Sequence, residues 1–250
     1  MNSSNHANRQ IIDLSIIVPC FNEEKSIELV LERFKKAIKT SSVEVVMVDN
    51  GSIDASGQIL QKLLPRYPFA KLVTVKTNIG YGNGILQGLK VARGQFLGWT
   101  HADLQTDPKD VIKSLEIIKR EKFARDLFVK GWRKNRPLGD RVFSRMMAIY
   151  VSIVLCKNFQ EVNAQPTIFS RKFYENFDNP PKDFSLDLYV YYLARVKKQR
   201  IIRFDVLFPQ RIHGNSSWNT SFSSRIQLTL RAMNYTKELK KKVKNDLYST

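Results

Sequence analysis

Cysteine is scarce in this chain of 250 residues: the sequence contains only Cys20 and Cys156, and they have no paired spacing. So few thiols exclude a disulfide framework or a thiolate metal site, and they are typical of a reducing compartment. Residues 1–10 are polar and do not resemble a secretory signal. We therefore expect a cytoplasmic protein in which residues 1–10 are a disordered tail and both thiols are buried and inert.

Long hydrophobic runs are also missing. The longest run extends from Met146 to Cys156 and is interrupted by Ser152. It falls short of the ~20 apolar residues that a membrane-spanning helix requires. We therefore expect that this chain does not cross a membrane.

Acidic residues are few compared with basic ones, at 23 against 41, which gives a formal net charge of +18. Such an excess favours a polyanionic partner, which can be a nucleic acid, an anionic bilayer surface or a phosphorylated substrate. The sequence has no aromatic-laced RNA-binding signature, and acids occupy the motifs where a nucleic-acid surface would be basic. We expect no nucleic-acid partner.

The sequence does have a regular alternation of strand and helix patterns. Runs rich in β-branched residues predict strands at 14–18, 43–48, 71–75 and 96–99, and apolar residues at helical spacing follow the first three. This alternation predicts an α/β fold with a mostly parallel central sheet flanked by helices. Beyond residue 122 we expect the following elements: a basic loop at 130–145, a strand at 168–170, a helix at 184–195 and a strand at 201–208.

Polar clusters follow each of the first four predicted strands, at 19–23, 49–52, 78–84 and 101–105. In open parallel sheets, ligands bind at the carboxyl ends of the strands. We therefore expect the four clusters to converge on one crevice. Unrelated caps and turns would not need to converge.

Asp103 and Gln105 offer a carboxylate and an amide oxygen two residues apart, directly after a buried-looking strand. Mg²⁺ and Mn²⁺ prefer such oxygen ligands, keep several waters and bridge to phosphates, so one or two protein ligands suffice. The alternative is a helix cap, because Asp107 followed by Pro108 is typical of a helix start. For the neighbouring His101, a hydrogen-bonding role is favoured over metal ligation.

Three further groups are candidates for binding a nucleotide or its phosphates. Asp49 at a strand end can accept hydrogen bonds from a nucleobase edge, although a plain turn and helix cap is equally consistent with 49–54. Gly80 and Gly82 permit a tight loop beneath a nucleotide, with an ordinary loop as the alternative. Arg133 and Arg141 suit phosphate oxygens, with a solvated basic surface as the alternative.

Taken together, four ordered motifs resemble those of the family-2 glycosyltransferases, and they occupy residues 17–23, 49–54, 78–82 and 102–105. The resemblance extends over residues 13–218 and is closest to the dolichyl-phosphate mannose synthase and polyprenyl-phosphate glycosyltransferase branch. It implies the GT-A fold, an inverting hexosyl transfer from a nucleotide-diphosphate sugar, and Mg²⁺ or Mn²⁺ as cofactor. His101 stands where that family usually has the first acid of its metal motif.

By position, the resemblance implies roles for individual residues. The nucleotide pocket would be lined by Pro19, Asn22, Glu23 and Asp49. Asp103 and Gln105 would hold the metal against the diphosphate. Arg211 and Ser216 would contact phosphates.

The acceptor determines whether a base is needed. A sugar hydroxyl must lose a proton, and Asp187 is the candidate base, whereas a lipid phosphate is already an anion that Arg133 and Arg141 would position. We favour polyprenyl or dolichyl phosphate, because the basic loop, the apolar segment from Met146 and a basic tail would together seat the enzyme on an anionic bilayer. A glycan or other hydroxyl acceptor is the alternative.

We therefore expect a catalytic domain at 11–218 and a basic amphipathic helix at 219–250. The protein would be peripheral on the cytoplasmic face of a membrane. Anchoring would come from the C-terminal helix or from a small membrane partner subunit.

Overall fold

The computed structural model describes residues 11–209 and 222–248. The predicted tail at 1–10 lies outside these residues. The described part of the chain contains one seven-stranded sheet with the order β3-β2-β1-β4-β6-β5-β7. Its strands are β1 (Leu14–Cys20), β2 (Val43–Asn50), β3 (Ala70–Val75), β4 (Phe96–Trp99), β5 (Leu127–Lys134), β6 (Thr167–Ser170) and β7 (Arg200–Leu207).

Helices connect most of these strands. They are α1 (Ile27–Ala37), α2 (Ser56–Leu63), α3 (Tyr81–Val91), α4 (Pro108–Arg120), α5 (Leu138–Leu155), α6 (Arg171–Tyr174), α7 (Leu186–Val196) and α8 (Phe222–Tyr248), with a short 3₁₀ turn at Leu64–Arg66. Within the described residues, no helix is both long and apolar enough to cross a membrane.

The sheet is mostly parallel, as predicted. β1 pairs in parallel with β2 and β4, β2 with β3, and β5 with β7, whereas β6 is antiparallel to both β4 and β5. The carboxyl ends of β1, β2, β3 and β4 therefore lie at one edge of the sheet, which is the edge where open α/β sheets bind ligands.

Two apolar cores cover the two faces of the sheet. Side chains alternate between the faces along a strand, so Ile16 and Val18 lie in one core and Ile17 in the other. The first core contains the buried sides of α1, α2 and α4, and the second those of α3, α5 and α7. The second also receives Leu239 of α8. The helices thus hold the loops at the sheet edge from both sides.

The basic segment at 130–145 is not a loop, and that prediction was wrong. β5 continues through Lys134, and α5 begins at Leu138. The strand pattern is hard to recognise in the sequence because a lysine, Lys130, occupies a completely buried position of β5. Its Nζ donates to Ala164 O and Thr167 Oγ1, both at 2.8 Å. A lysine with two such acceptors occupies a strand position that usually holds an apolar residue.

The expectation for the thiols holds only for Cys20. Cys20 is buried, and burial followed by the nearby charges of Glu23, Asp49 and Asp54 holds the pKa of its thiol far above the usual value. Cys156 is exposed because it ends α5 in a left-handed conformation, with φ at 52°.

Candidate functional site

The loops that follow β1 and β2 are joined by hydrogen bonds. Asn22 N donates to Ser52 Oγ at 3.2 Å, and Asn22 Oδ1 accepts from Ile53 N at 3.0 Å. Glu23 N donates to Ser56 Oγ at 2.9 Å. The sequence predicted that these loops would meet, but it did not predict the serine hydroxyls that join them.

Asp49 lies between these loops at the end of β2. It faces Cys20 across the strand pair and is nearly buried. Its Oδ1 accepts a hydrogen bond from Ser52 N at 3.0 Å, and a Cβ atom added to Gly57 would come within 2.5 Å of its Oδ2. The turn that was the alternative for this motif is therefore present. Base binding by Asp49 stays a prediction.

The loop after β3 is tied to the end of β2 by an amide pair. Asn50 Nδ2 donates to Asn78 Oδ1 at 3.3 Å and to Gly80 O at 3.0 Å. Gly80 has a φ of +135°, and a Cβ at Gly80 or Gly82 would collide with the backbone of 181–183. The glycines are thus required by a neighbouring segment of the protein. Their place beneath a nucleotide stays a prediction.

The loop after β4 carries Asp103, which is 7% exposed. Its Oδ1 accepts from Gln105 N at 3.1 Å, and Gln105 Nε2 donates to Pro209 O at 3.0 Å. The residue that caps α4 is Asp107, which accepts from Lys109 N at 2.9 Å. The cap and the proposed ligand are therefore different aspartates, which leaves the ligand role for Asp103 open.

Aromatic rings link this loop to α3 and to the segment before α7. The Tyr81 ring stacks on Phe184 at 4.9 Å between centroids and on His101 at 6.0 Å. Burial, followed by the charges of Asp187 and Asp103, raises the pKa of the Tyr81 hydroxyl well above its usual value. Both aspartates are therefore close enough to Tyr81 to act on it electrostatically.

Asp187 lies in the first turn of α7 and is 4% exposed. Its Oδ1 accepts two hydrogen bonds, from Trp99 Nε1 at 3.2 Å and from Gln165 Nε2 at 2.9 Å. The sequence missed both donors. The sequence offered one signal for the first of these donors: Trp99 ends an apolar strand, and a buried Trp N–H usually needs an acceptor.

The arginine candidates at the far side of the sheet differ in environment. Arg133 Nε pairs with Glu161 Oε2 at 2.6 Å, and Arg136 Nη1 lies 3.4 Å from the other oxygen of the same carboxylate. Arg141, by contrast, is exposed in the first turn of α5. Arg211 and Ser216 lie outside the described residues.

A family profile described as Glycosyl transferase family 2 matches residues 15–173, which include all four loops of the site. The chain belongs to this family. Its ordered motifs are therefore those of a glycosyltransferase, as the sequence resemblance implied.

Curated family-2 relatives act on polyprenyl phosphates according to their names. The chain is 36% identical over 133 residues to a dodecaprenyl-phosphate galacturonate synthase of Rhizobium johnstonii, covering 52% of this chain and 38% of that protein. It is 25% identical over 209 residues to a dolichol-phosphate mannosyltransferase of Pyrococcus furiosus, covering 81% and 58%. The chain thus spans about half the length of the curated relatives it matches.

Solved structures share the fold at low identity. Glucosyl-3-phosphoglycerate synthase of Mycobacterium tuberculosis, crystallised with Mn²⁺ and UDP, matches with a TM-score of 0.67 and 16% identity, covering 92% of this chain and 80% of that one. A mannosyltransferase of Pyrobaculum calidifontis in complex with GDP-Man and Mn²⁺ matches with a TM-score of 0.61 and 19% identity, covering 82% and 59%. The predicted GT-A fold is confirmed.

The donor set fits a divalent cation held largely by a diphosphate. Among the described residues, no three His, Cys, Asp or Glu side chains cluster closely enough to hold a metal ion by themselves. Asp103 and Gln105 carry hard oxygen atoms of the kind that Mg²⁺ and Mn²⁺ prefer, and an ion that also binds phosphates needs only one or two protein ligands. Their role as ligands stays a prediction. The His101 ring stacks on Tyr81, and its hydrogen-bonding role stays a prediction.

Proposed function

We propose that this family-2 glycosyltransferase moves a hexosyl group from a nucleoside-diphosphate donor to a polyprenyl or dolichyl phosphate, with inversion at the anomeric carbon. The proposal rests chiefly on the meeting of the four loops at one edge of the sheet, which brings Asp49 and Asp103 to the same side of the fold. The names of the curated relatives support the acceptor class.

The donor would lie across the carboxyl ends of β1, β2 and β4. Pro19, Asn22, Glu23 and Asp49 would surround the nucleoside, and Asp103 with Gln105 would hold Mg²⁺ or Mn²⁺ against the diphosphate. The ion supplies positive charge against the negative charge that grows on the departing diphosphate. The hydrogen bonds between the loops hold these side chains in place before the donor arrives, which reduces the entropy lost on binding.

The acceptor proposal agrees with the charges around the site. A lipid phosphate attacks as an anion, so it requires no base but does require positive charge to position it. Arg133 and Arg136 share the single carboxylate of Glu161, which leaves net positive charge at the end of β5. Arg141, exposed nearby in sequence, would add to it.

A hydroxyl acceptor is the second candidate, and Asp187 is the observation in its favour. This buried carboxylate acts electrostatically on Tyr81 at the start of α3, and it would be the base that removes a proton from a sugar hydroxyl. Its Oδ1 already accepts from Trp99 and Gln165, however, so only part of the carboxylate is available for a substrate.

An anionic membrane surface is the proposed location of the acceptor. Five apolar residues form an exposed row along α5, which we call the α5 stripe: Leu138, Val142, Met146, Ile149 and Ile153. Their spacing of three or four residues places them on one face of the helix, and exposed Arg141 and Arg145 flank that face. An apolar face bordered by arginines is typical of a helix that lies on an anionic bilayer. A small membrane partner subunit is the alternative occupant.

The test is transfer with a panel of nucleotide sugars. UDP-glucose, UDP-N-acetylglucosamine and GDP-mannose are incubated with the protein and Mn²⁺ or Mg²⁺, with and without polyprenyl phosphate. We expect one donor to release nucleoside diphosphate at least ~10-fold faster when polyprenyl phosphate is present. Release that depends on a soluble sugar acceptor instead would support the second candidate, and no release with any donor would contradict both.

A further inference from the structure

Two buried polar atoms near Asp187 have no hydrogen-bond partner among the described residues: Gln165 Oε1 and the Tyr81 hydroxyl. A buried acceptor or donor left unpaired lowers stability because it has lost its hydrogen bonds to water, so native proteins leave few of them. Three further atoms are unpaired in the same way. Asn50 Oδ1 lies at the end of β2, within the loops of the site, whereas the Tyr150 hydroxyl and Gln199 Oε1 lie on α5 and after α7, outside the four loops. Gln165 and Tyr81 differ from these three in their relation to Asp187, because Gln165 donates to its carboxylate and its charge acts on Tyr81.

The orientation of the Gln165 amide is fixed by Asp187. Its Nε2 donates to Asp187 Oδ1, so a flipped amide would direct its oxygen against a carboxylate, which is repulsive. Gln165 is 1% exposed and cannot turn toward bulk water. Its Oε1 is therefore an acceptor of fixed orientation that has no partner among the described residues.

The backbone around Gln165 is held just as firmly. Lys130 Nζ, completely buried, donates to Ala164 O and to Thr167 Oγ1 on either side of it, and Gly131 N donates to Pro166 O at 3.0 Å. A side chain at Gly131 would collide with Gln165 O. These contacts prevent the turn from shifting to satisfy Oε1 within the protein.

Tyr81 supplies the complementary group. Its ring stacks on Phe184 and His101, and a tyrosine hydroxyl is protonated at neutral pH, so it can donate as well as accept. An alcohol hydroxyl is able both to donate to an amide oxygen and to accept from a phenol. A phosphate is unsuited here, because Gln165 Oε1 and Asp187 would both repel it.

We propose that Gln165 and Tyr81 form a subsite beside Asp187 that hydrogen-bonds one hydroxyl group of the transferred sugar. This inference rests on the proposed function, since a nucleotide sugar brings that hydroxyl to the site. Gln165 and Tyr81 are then residues that determine donor specificity, and a sugar lacking the hydroxyl leaves both atoms unpaired.

Tyr81→Phe is the sharpest variant, because it removes one oxygen that has no partner among the described residues and leaves the ring contacts intact. Tyr150→Phe is its matched control, and Gln199→Met is the control for Gln165→Met. Calorimetric titrations of each variant would compare a nucleotide sugar, taken from the panel as the one that the wild type binds, with the corresponding nucleoside diphosphate alone.

We expect Tyr81→Phe and Gln165→Met to weaken nucleotide-sugar binding about 10-fold or more, with nucleoside-diphosphate binding unchanged and both controls like wild type. Deoxy analogues of the donor, each lacking one hydroxyl, provide the second readout. One analogue should bind wild type about 10-fold more weakly, with no further loss in Tyr81→Phe.

Unchanged nucleotide-sugar binding in both variants, or equal loss on every analogue, would overturn the subsite while leaving the transferase proposal intact. A wild type that binds nucleoside diphosphate but none of the nucleotide sugars would overturn the subsite and the proposed function together. Loss of nucleoside-diphosphate binding in Tyr81→Phe would also overturn it, because the residue would then serve the nucleotide.

Discussion

Asp103 is the residue on which the proposed chemistry depends most. It is nearly buried at the end of β4, and one of its carboxylate oxygens is held by the backbone N–H of Gln105. The neighbouring Asp107 caps the N-terminus of α4. The charge of Asp103 is therefore not required by the helix that follows it.

Replacing that charge should abolish transfer while preserving the fold. We expect Asp103→Asn to reduce kcat by about 100-fold or more, because the amide keeps the Gln105 hydrogen bond but no longer attracts a divalent cation. Steady-state assays at several Mn²⁺ concentrations measure this. Asp126→Asn, an exposed change in the turn before β5, should behave like wild type, and an active Asp103→Asn enzyme would contradict the metal assignment.

The sequence predicted the candidate site residues that belong to motifs, and it did not predict those that lie outside them. Asp49, Asp103 and their loops stand out because polar clusters interrupt apolar strands at regular intervals. Trp99 and Gln165 gave no such signal, because each is a single residue whose importance comes from meeting Asp187 across 88 and 22 positions of sequence. Such pairings arise only when the strands are assembled.

At the scale of elements, Glu44 ties several pieces of the sheet together. Its Oε2 accepts from Ser15 Oγ at 2.6 Å and from Arg93 N at 2.9 Å, and Lys71 Nζ lies 3.0 Å from Oε1. Burial alone would raise the pKa of Glu44, but these hydrogen bonds outweigh it and lower the pKa to about 2. β1, β2, β3 and the end of α3 thus share one buried carboxylate.

Glu44 should contribute stability that depends on pH. We expect Glu44→Gln to lower the free energy of unfolding at pH 7 by about 2–4 kcal/mol, since it leaves buried donors poorly matched. The folded pKa lies below the unfolded value of 4.5, so the contribution is complete above that pH and is lost as the pH falls toward 2. Urea unfolding at pH 7 and pH 3 measures both effects.

Glu116→Gln is the control for that measurement, because Glu116 is exposed on α4. It should change stability by no more than about 0.5 kcal/mol at either pH. If Glu44→Gln changed the free energy of unfolding at pH 7 as little as Glu116→Gln does, the Glu44 carboxylate would not stabilise the sheet.

The elements themselves were predictable to different degrees. β1 to β4 follow β-branched runs with clear turn residues, and their positions agree with the structure within two residues. β5 and α5 were missed because lysine and arginine side chains break the apolar pattern at 130–145, while tertiary contacts such as those of Lys130 bury the strand. The antiparallel insertion of β6 between β4 and β5 is likewise set by packing and has no local signal.

At the scale of the whole molecule, an apolar face and an excess of positive charge occur together. The α5 stripe lies opposite the side of α5 that packs into the second core through Ala148, Val151 and Leu155. The helix is therefore apolar on two sides, one of which the described residues leave exposed. A formal net charge of +18 favours an anionic surface as the partner of the exposed side, the α5 stripe.

Charges placed in the α5 stripe should weaken membrane binding without unfolding the protein. We expect Met146→Glu/Ile153→Glu to reduce flotation with vesicles containing phosphatidylglycerol at least ~5-fold, because both side chains are mainly exposed and glutamate resists burial among lipids. Wild-type binding should also weaken as salt is raised. Val91→Glu, an exposed change on α3, is the control. Flotation equal to wild type in the double variant would show that the α5 stripe does not bind the membrane.

We propose that the loops after β1, β2, β3 and β4 form one sugar-nucleotide site. A crystal structure of the protein with Mn²⁺ and the nucleotide sugar that it binds tests this most directly. We predict the nucleoside against Asp49 and the diphosphate within reach of Asp103 and Gln105. A nucleotide bound at any other surface, with these loops left empty, would show that the four loops do not form the donor site.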